Sequence, residues 1–210
     1  MCGGKYRQWE TPRQLLKING EAIINRTIRL LRENDITDIA ISTDNPLFEC
    51  CGVPLLKHNN TYDANGYNDF TGYWCDAFYP TKEPVCYIFG DVVFSPEAMR
   101  IIVQTDTKDI EFFASAPPFG PGYFKDSAEP FALKVQDPEL LQDAIRRVKL
   151  LDKAKKFKRK PIMWELWQVI KNTTVNHIDY TNYTVINDYT CDIDYPDEVS
   201  IFEDILKGNT

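Results

Sequence analysis

The chain has 210 residues, of which 43% are hydrophobic and 26% charged, a balance that is ordinary for a globular protein. This composition excludes a wholly disordered, collagen-like or coiled-coil chain, and no apolar run approaches the roughly 18 residues needed to span a bilayer. The net charge of -7 argues against a general nucleic-acid or anionic-membrane binder, because phosphate backbones require a positive surface. A small phosphate ligand needs only a local basic pocket.

The first residues lack an apolar signal segment, so we expect a cytoplasmic protein, and the length fits a single domain over residues 1–210. Six cysteines occur without any C-x-x-C pair, and only two histidines accompany them. This pattern predicts reduced, mostly buried thiols and no zinc site.

Helical and strand patterns alternate along the sequence, which predicts an α/β fold. In chain order we expect a helix at 20–34, strands at 38–43, 53–57 and 84–89, a helix at 96–104, strands at 110–115 and 129–136, helices at 138–151 and from 161, a strand at 183–186 and a helix at 196–206. The runs D-I-A-I-S-T and P-V-C-Y-I-F are typical of buried parallel strands. Trp164 and Trp167 are expected to be core or interface residues.

Three polar segments leave alternatives open. The loop at 59–73 either contacts a ligand or is a plain surface loop, and the segment 116–123 is rich in turn residues. The basic run Lys153–Lys160 is either a solvated face or an anion contact.

The first twenty residues are locally basic, with Lys5, Arg7, Arg13 and Lys17 against Glu10. They also hold two adjacent glycines, whose backbone N–H groups can approach an anion closely. Basic side chains after such a loop suit a polyphosphate, although a solvated turn has the same composition.

The pattern of this segment is more specific than its composition. It resembles the signature loop of the nucleotidyltransferases that make nucleotide-activated sugars and alcohols, in the MobA-like or cytidylyltransferase-like form. The matching residues are Gly3, Gly4, Arg7, Pro12, Arg13, Leu15, Gly20, Ile23 and Ile24.

Two later motifs follow in the order that this family shows. Gly90-Asp91 comes directly after a predicted buried strand, where the family has a metal-binding aspartate. The run D-I-D-Y-P-D at 192–197 resembles the family's late D-x-D-T-P-E-D, which precedes the last helix. A turn residue and an acidic helix cap are the alternative interpretations of these aspartates.

The resemblance implies a three-layer α/β/α, Rossmann-like domain with a mostly parallel central sheet, of the GT-A-like nucleotidyltransferase type. It implies Mg²⁺ as cofactor, held by Asp91 and Asp194. Arg7 and Arg13 would stabilise the phosphate charge as pyrophosphate leaves. The remaining expected ligand-binding residues are Gly3, Gly4, Lys5, Gln14 and Lys134.

This sequence departs from the family in three places. The family has a strand before the Gly-Gly loop, so here that first strand is either missing or upstream. Arg13 stands where the family has lysine, which keeps the charge but changes the hydrogen-bond geometry. Tyr195 replaces the threonine of D-T-P.

The expected activity is transfer of an NMP unit from an NTP, with CTP preferred, to a phosphorylated sugar, polyol, alcohol or phosphonate, with release of pyrophosphate. The alternatives are a GT-A-type glycosyltransferase that uses a nucleotide-sugar and a non-catalytic nucleotide-binding homologue. No nucleic-acid partner is expected, and a homodimer is left open.

Overall fold

The computed structural model describes residues 1–2, 9–58, 63–66, 69–116 and 128–208, with the backbone alone at 63–66 and 69–71. The α-helices are α1 Ile23–Glu33, α2 Pro96–Gln104, α3 Pro138–Lys153, α4 Met163–Ile170 and α5 Glu198–Leu206. The strands are β1 Lys17–Ile18, β2 Glu21–Ala22, β3 Ile41–Ser42, β4 Leu55–Leu56, β5 Asp63–Gly66, β6 Asp69–Thr71, β7 Val85–Ile88, β8 Val92–Val93, β9 Ile110–Ala114, β10 Pro130–Val135, β11 Thr184–Val185 and β12 Cys191–Asp192. Short 3-10 helices occupy Arg13–Leu15, Pro46–Cys51 and Trp74–Ala77.

The five α-helices lie where the sequence pattern predicts them, and their starts follow local chemistry. Ser95 and Asp137 cap α2 and α3 by accepting hydrogen bonds from Ala98 N and Leu140 N, and a proline follows each cap. Helix α1 begins at Ile23, later than expected, because Asn19 and Gly20 form the turn of the β1–β2 hairpin with positive φ angles of 50° and 86°.

The fold is mixed α/β, as expected, but its sheets differ from the expectation of a mostly parallel central sheet. The largest sheet has four strands in the order β11-β9-β10-β7, and β10 pairs antiparallel with both of its neighbours. The third pairing between the described strands of this sheet, that of β11 with β9, is parallel. The mostly parallel prediction is therefore corrected, because β10 runs opposite to both of the strands it pairs with.

The N-terminal pair Met1–Cys2 lies between β7 and β3. The Met1 ammonium donates to Ile88 O at 2.6 Å, and Gly90 N donates to Met1 O at 3.0 Å. On the other side Cys2 N donates to Ser42 O at 3.0 Å. These two residues thus connect the four-stranded sheet to the β3–β4 pair.

The main core lies against the four-stranded sheet. Phe112, Phe131 and Leu133 on its strands are fully buried. Every residue of α4 is buried, including Trp164 and Trp167, which confirms their expected place in the core. A second apolar cluster joins Cys2 to α1, β3 and Phe48.

None of the six cysteines, all of which lie in the described residues, forms a disulfide; Cys2, Cys75 and Cys191 are buried whereas Cys50 and Cys86 are exposed. The described residues contain no helix that is both long and apolar enough to cross a bilayer.

Candidate functional site

The candidate site is centred on Arg13, whose side chain is only 4% exposed. Its Nη2 donates to Asp91 Oδ2 at 2.5 Å, and its Nη1 donates to Asp194 Oδ1 at 2.6 Å. Nη1 also donates to the backbone oxygen of Ile193 at 2.6 Å. Three segments far apart in the sequence therefore meet at one guanidinium.

A short antiparallel ladder explains why the two aspartates are close. Strands β8 and β12 pair with Val92 opposite Asp192, and Ile193 N donates to Asp91 O at 3.2 Å beyond the end of the ladder. Asp91 directly precedes β8, and Asp194 lies two residues after the end of β12. Because the two strands are antiparallel, both aspartates lie at the same end of the pair. The side chain of Asp91 is 22% exposed and that of Asp194 35% exposed, so solutes can reach both carboxylates.

Glu198, at the start of α5, fixes the segment that carries Asp194. Its Oε2 accepts from Asp194 N at 2.7 Å and from Tyr195 N at 3.2 Å, and Glu198 itself is buried. Charged acceptors of backbone N–H groups make comparatively strong hydrogen bonds. The Asp194 segment is therefore held from both sides, by Glu198 at its backbone and by Arg13 at its carboxylate.

A second set of carboxylates adjoins this ion pair. One oxygen each from Glu129, Asp192 and Asp194 lies within 4.8 Å of the other two, and all three residues are half-buried. Glu129 is held directly before β10, where its N donates to Ser115 Oγ at 2.8 Å. Three carboxylate oxygens are hard donors of the kind that Mg²⁺ prefers, with coordination positions remaining for water and phosphate oxygens.

The thiol of Cys2 lies beneath the site. Burial raises the pKa of Cys2 to about 12, and the nearby Asp91 carboxylate adds to this rise. Cys2 is therefore a protonated, apolar packing residue at neutral pH and not a nucleophile.

The other residues that the sequence predicts for the site take no part in the contacts described above. Gly3, Gly4, Lys5 and Arg7 lie outside the described residues, as do residues 59–62, 67–68 and 117–123. The expected loop at 59–73 is in part an antiparallel hairpin of β5 and β6. Gln14 is buried beside the strand end that carries Asp91, and its Cγ would be 3.1 Å from a Cβ built on Gly90. Gln14 therefore packs against Gly90, the residue before Asp91.

Lys134 does not join the Arg13 cluster. Its Nζ donates to the backbone oxygens of Val103 at 2.8 Å, Thr105 at 2.7 Å and Ile102 at 3.3 Å. These carbonyls belong to the C-terminal end of α2, where a cation is favourable. We therefore assign Lys134 to this helix end and leave it out of the proposed site.

Sequence reasoning missed Glu129 and Glu198. Glu198 had a usable signal, because an acid in the first turn of a helix often accepts from backbone N–H groups before the helix. Glu129 had none, since a glutamate directly before a strand has no characteristic spacing to the D-I-D run at 192–194.

No model of a known protein family matches the chain. No curated protein matches it either.

Proposed function

We propose that this chain is a Mg²⁺-dependent nucleotidyltransferase, which transfers an NMP unit from an NTP to a phosphorylated small molecule. The observation that carries the proposal is the meeting of Arg13 with Asp91 and Asp194, because the family motifs place these residue types in one site. The adjoining carboxylates of Glu129 and Asp192 support it further.

In this proposal Asp194, Asp192 and Glu129 hold the metal, with Asp91 beside them. Bound Mg²⁺ would neutralise negative charge on the phosphates of the nucleotide. This ligand set shares Asp194 with the Asp91 and Asp194 pair expected from sequence, and Glu129 and Asp192 take the place of Asp91 in it.

The reaction joins an acceptor phosphate or phosphonate oxygen to the α-phosphorus of the NTP, while the bond from that phosphorus to the bridging oxygen of pyrophosphate breaks. Positioning and charge stabilisation dominate such transfers, and no covalent nucleophile is needed. Gly3, Gly4, Lys5 and Arg7 stay predicted as the triphosphate-binding loop, with CTP as the preferred nucleotide.

Strand direction supports the finer part of the fold prediction. Since β10 runs opposite to both β7 and β9, those two strands share one direction, and β11 runs with β9. The Met1 hydrogen bonds to Ile88 and Gly90 follow the parallel pattern, which adds Met1–Cys2 to the same direction. This arrangement is compatible with a GT-A-like sheet that contains one reversed strand.

Pyrophosphate release tests the proposal. The protein is incubated with Mg²⁺, each of the four NTPs and a set of phosphorylated sugars, polyols, alcohols and phosphonates. We expect release with one NTP that depends on an acceptor, and CTP is the first candidate. Asp194→Asn should lower turnover at least about a hundredfold, since it removes a charged ligand.

Asp152→Asn is the matched control. Asp152 lies on α3, is also half-buried, and accepts a hydrogen bond from Lys160 Nζ at 3.1 Å. It takes no part in the proposed site. Equal loss of turnover in both variants, or no pyrophosphate with any NTP and acceptor, contradicts the proposal.

A glycosyltransferase is the second candidate, favoured by one observation. Asp192 and Asp194 both contribute to the carboxylate cluster, as a D-x-D metal motif would. Such an enzyme would consume a nucleotide-sugar without releasing pyrophosphate, so transfer from a nucleotide-sugar in the same assay distinguishes it. Nucleotide binding without any turnover would indicate the non-catalytic homologue.

A further inference from the structure

The guanidinium of Arg13 faces the interior of the protein. Its two terminal nitrogens donate to Asp91, Asp194 and the Ile193 carbonyl, and its side chain is 4% exposed. A phosphate-binding arginine, as expected from the family motif, would present its guanidinium to the nucleotide. In the structure the terminal nitrogens of Arg13 instead donate to the carboxylates of Asp91 and Asp194.

Asp194 connects Arg13 to the carboxylate cluster. It accepts from Arg13 through Oδ1, and it is also one of the three residues whose oxygens lie within 4.8 Å of each other. A cation at the cluster and the guanidinium of Arg13 therefore interact with the same carboxylate. Two positive groups so close repel each other and compete for the charge of Asp194.

We propose that Arg13 is a positioning residue that holds Asp91 and Asp194 together and, by competing for Asp194, lowers the affinity of the cluster for a divalent metal. This inference rests on the proposed function for the presence of the metal. It assigns Arg13 an action through the carboxylates and not on the nucleotide. A moderate affinity suits a metal that arrives with the nucleotide phosphates, since Mg²⁺ is commonly shared between a few carboxylates and substrate phosphates.

Replacing Arg13 by an uncharged residue should change the metal affinity of the cluster in a definite direction. Removing the positive charge of Arg13 leaves the carboxylates of Asp91 and Asp194 with less compensation, so the cluster should attract a divalent cation more strongly. Glu198 still holds the backbone of Asp194 when Arg13 is replaced, so this ligand stays in place. If Arg13 instead had a merely structural role, its loss would disorder the ligands and weaken metal binding. The sign of the change therefore separates the two roles.

Arg26 provides a matched control on α1. It is also a largely buried arginine, with its side chain 13% exposed. Its Nε donates to Phe94 O at 2.9 Å and its Nη2 to Tyr189 Oη at 3.0 Å. Neither of these partners belongs to the carboxylate cluster, so Arg26→Gln removes an arginine of similar burial without changing the contacts of Asp194.

The test is a titration with Mn²⁺ alone, followed by the electron paramagnetic resonance signal of the free ion in nucleotide-free protein. We expect Arg13→Gln to bind Mn²⁺ about tenfold more tightly than the unaltered chain, because one neighbouring positive charge is gone. Arg26→Gln should change the Mn²⁺ affinity less than about twofold. Circular dichroism and the melting temperature establish that each variant is folded.

Unchanged or weaker Mn²⁺ binding by folded Arg13→Gln overturns the proposal. If that variant does not fold, Arg13→Lys carries the test. A single ammonium lacks the guanidinium fork, so it should leave Asp194 partly released and tighten Mn²⁺ binding about threefold; no tightening again overturns the inference. Because no nucleotide is present, these results are independent of whether pyrophosphate is released. Absence of Mn²⁺ binding in every protein, together with absent pyrophosphate release, would instead contradict the proposed function and the inference together.

Discussion

At the scale of single residues, Glu198 shows how one buried acid can place a whole segment. It accepts from two consecutive backbone N–H groups, those of Asp194 and Tyr195, and it lies at the N-terminus of α5. Its negative charge is also favourable there, because the first turn of a helix presents unpaired N–H groups.

Glu198→Ala should lower the free energy of unfolding by about 1–3 kcal/mol, because two backbone N–H groups lose a charged acceptor in a buried place. Glu198→Gln keeps an acceptor oxygen and should cost less than about 1 kcal/mol. Urea denaturation measures both changes. If alanine and glutamine cost the same, the two hydrogen bonds are not the source of the stabilisation.

Asp204→Ala is the control for this comparison. Asp204 is an exposed acid on the same helix, and we expect its replacement to change the stability by less than about 0.5 kcal/mol. If Asp204→Ala lowers the free energy of unfolding as much as Glu198→Ala does, the effect comes from removing an acid from α5 and not from the hydrogen bonds to the Asp194 segment.

The residues of the site were predictable from sequence to different degrees. Arg13, Asp91 and Asp194 were expected in one site from the resemblance of their motifs, because each such motif has a given residue type at a set distance from a strand or helix. The direction in which Arg13 points did not follow, since the same motif suits a guanidinium turned to a nucleotide or to neighbouring carboxylates. Glu129 depends on how the start of β10 lies beside the end of β12, which is a tertiary relation without a local pattern.

At the scale of elements, the contact between Met1–Cys2 and the end of β7 depends on Gly90. A Cβ built on Gly90 would lie 2.5 Å from Cys2 Sγ and 2.7 Å from Met1 O. Any larger residue must therefore displace the pair that connects the four-stranded sheet to β3. The position also precedes Asp91, so the displacement would reach the candidate site.

We expect Gly90→Ala to lower the free energy of unfolding by at least about 2 kcal/mol, because one of the two close contacts is with backbone that cannot rotate away. Thermal and urea denaturation measure this change. Gly20→Ala is the comparison: no atom lies within 4 Å of its Cβ, and its φ of +86° alone should cost roughly 1 kcal/mol. An equal or smaller cost at Gly90 would show that Met1–Cys2 does not pack there.

Helices were predicted more accurately than strands for a physical reason. A helix such as α3 repeats its apolar residues over four turns and is capped by its own neighbours in sequence. Strands of two residues, such as β1, β2 and β8, contain too few positions to show a period. The reversed direction of β10 is a further long-range property, because its composition suits either direction.

At the scale of the whole molecule, buried thiols link stability to alkaline pH. Burial raises the pKa of Cys75 to about 12, as it does for Cys2, from an ordinary value near 9. In the unfolded chain these thiols lose their protons near pH 9, whereas in the folded protein they keep them up to about pH 12. The unfolded state therefore binds fewer protons in this window, and stability must fall as the pH rises through it.

The free energy of unfolding should thus be insensitive to these thiols below pH 9 and should decrease above it, by about 1 kcal/mol per pH unit for each of them. Urea denaturation of the unaltered chain and of Cys75→Ala at pH 8, 10 and 11 isolates one thiol, because all other titrating groups are shared. We expect the variant's stability to fall less steeply by about 1 kcal/mol per pH unit between pH 10 and 11. Equal slopes for the two proteins would mean that the Cys75 thiol titrates alike in the folded and unfolded chains and that its burial does not contribute to alkaline unfolding.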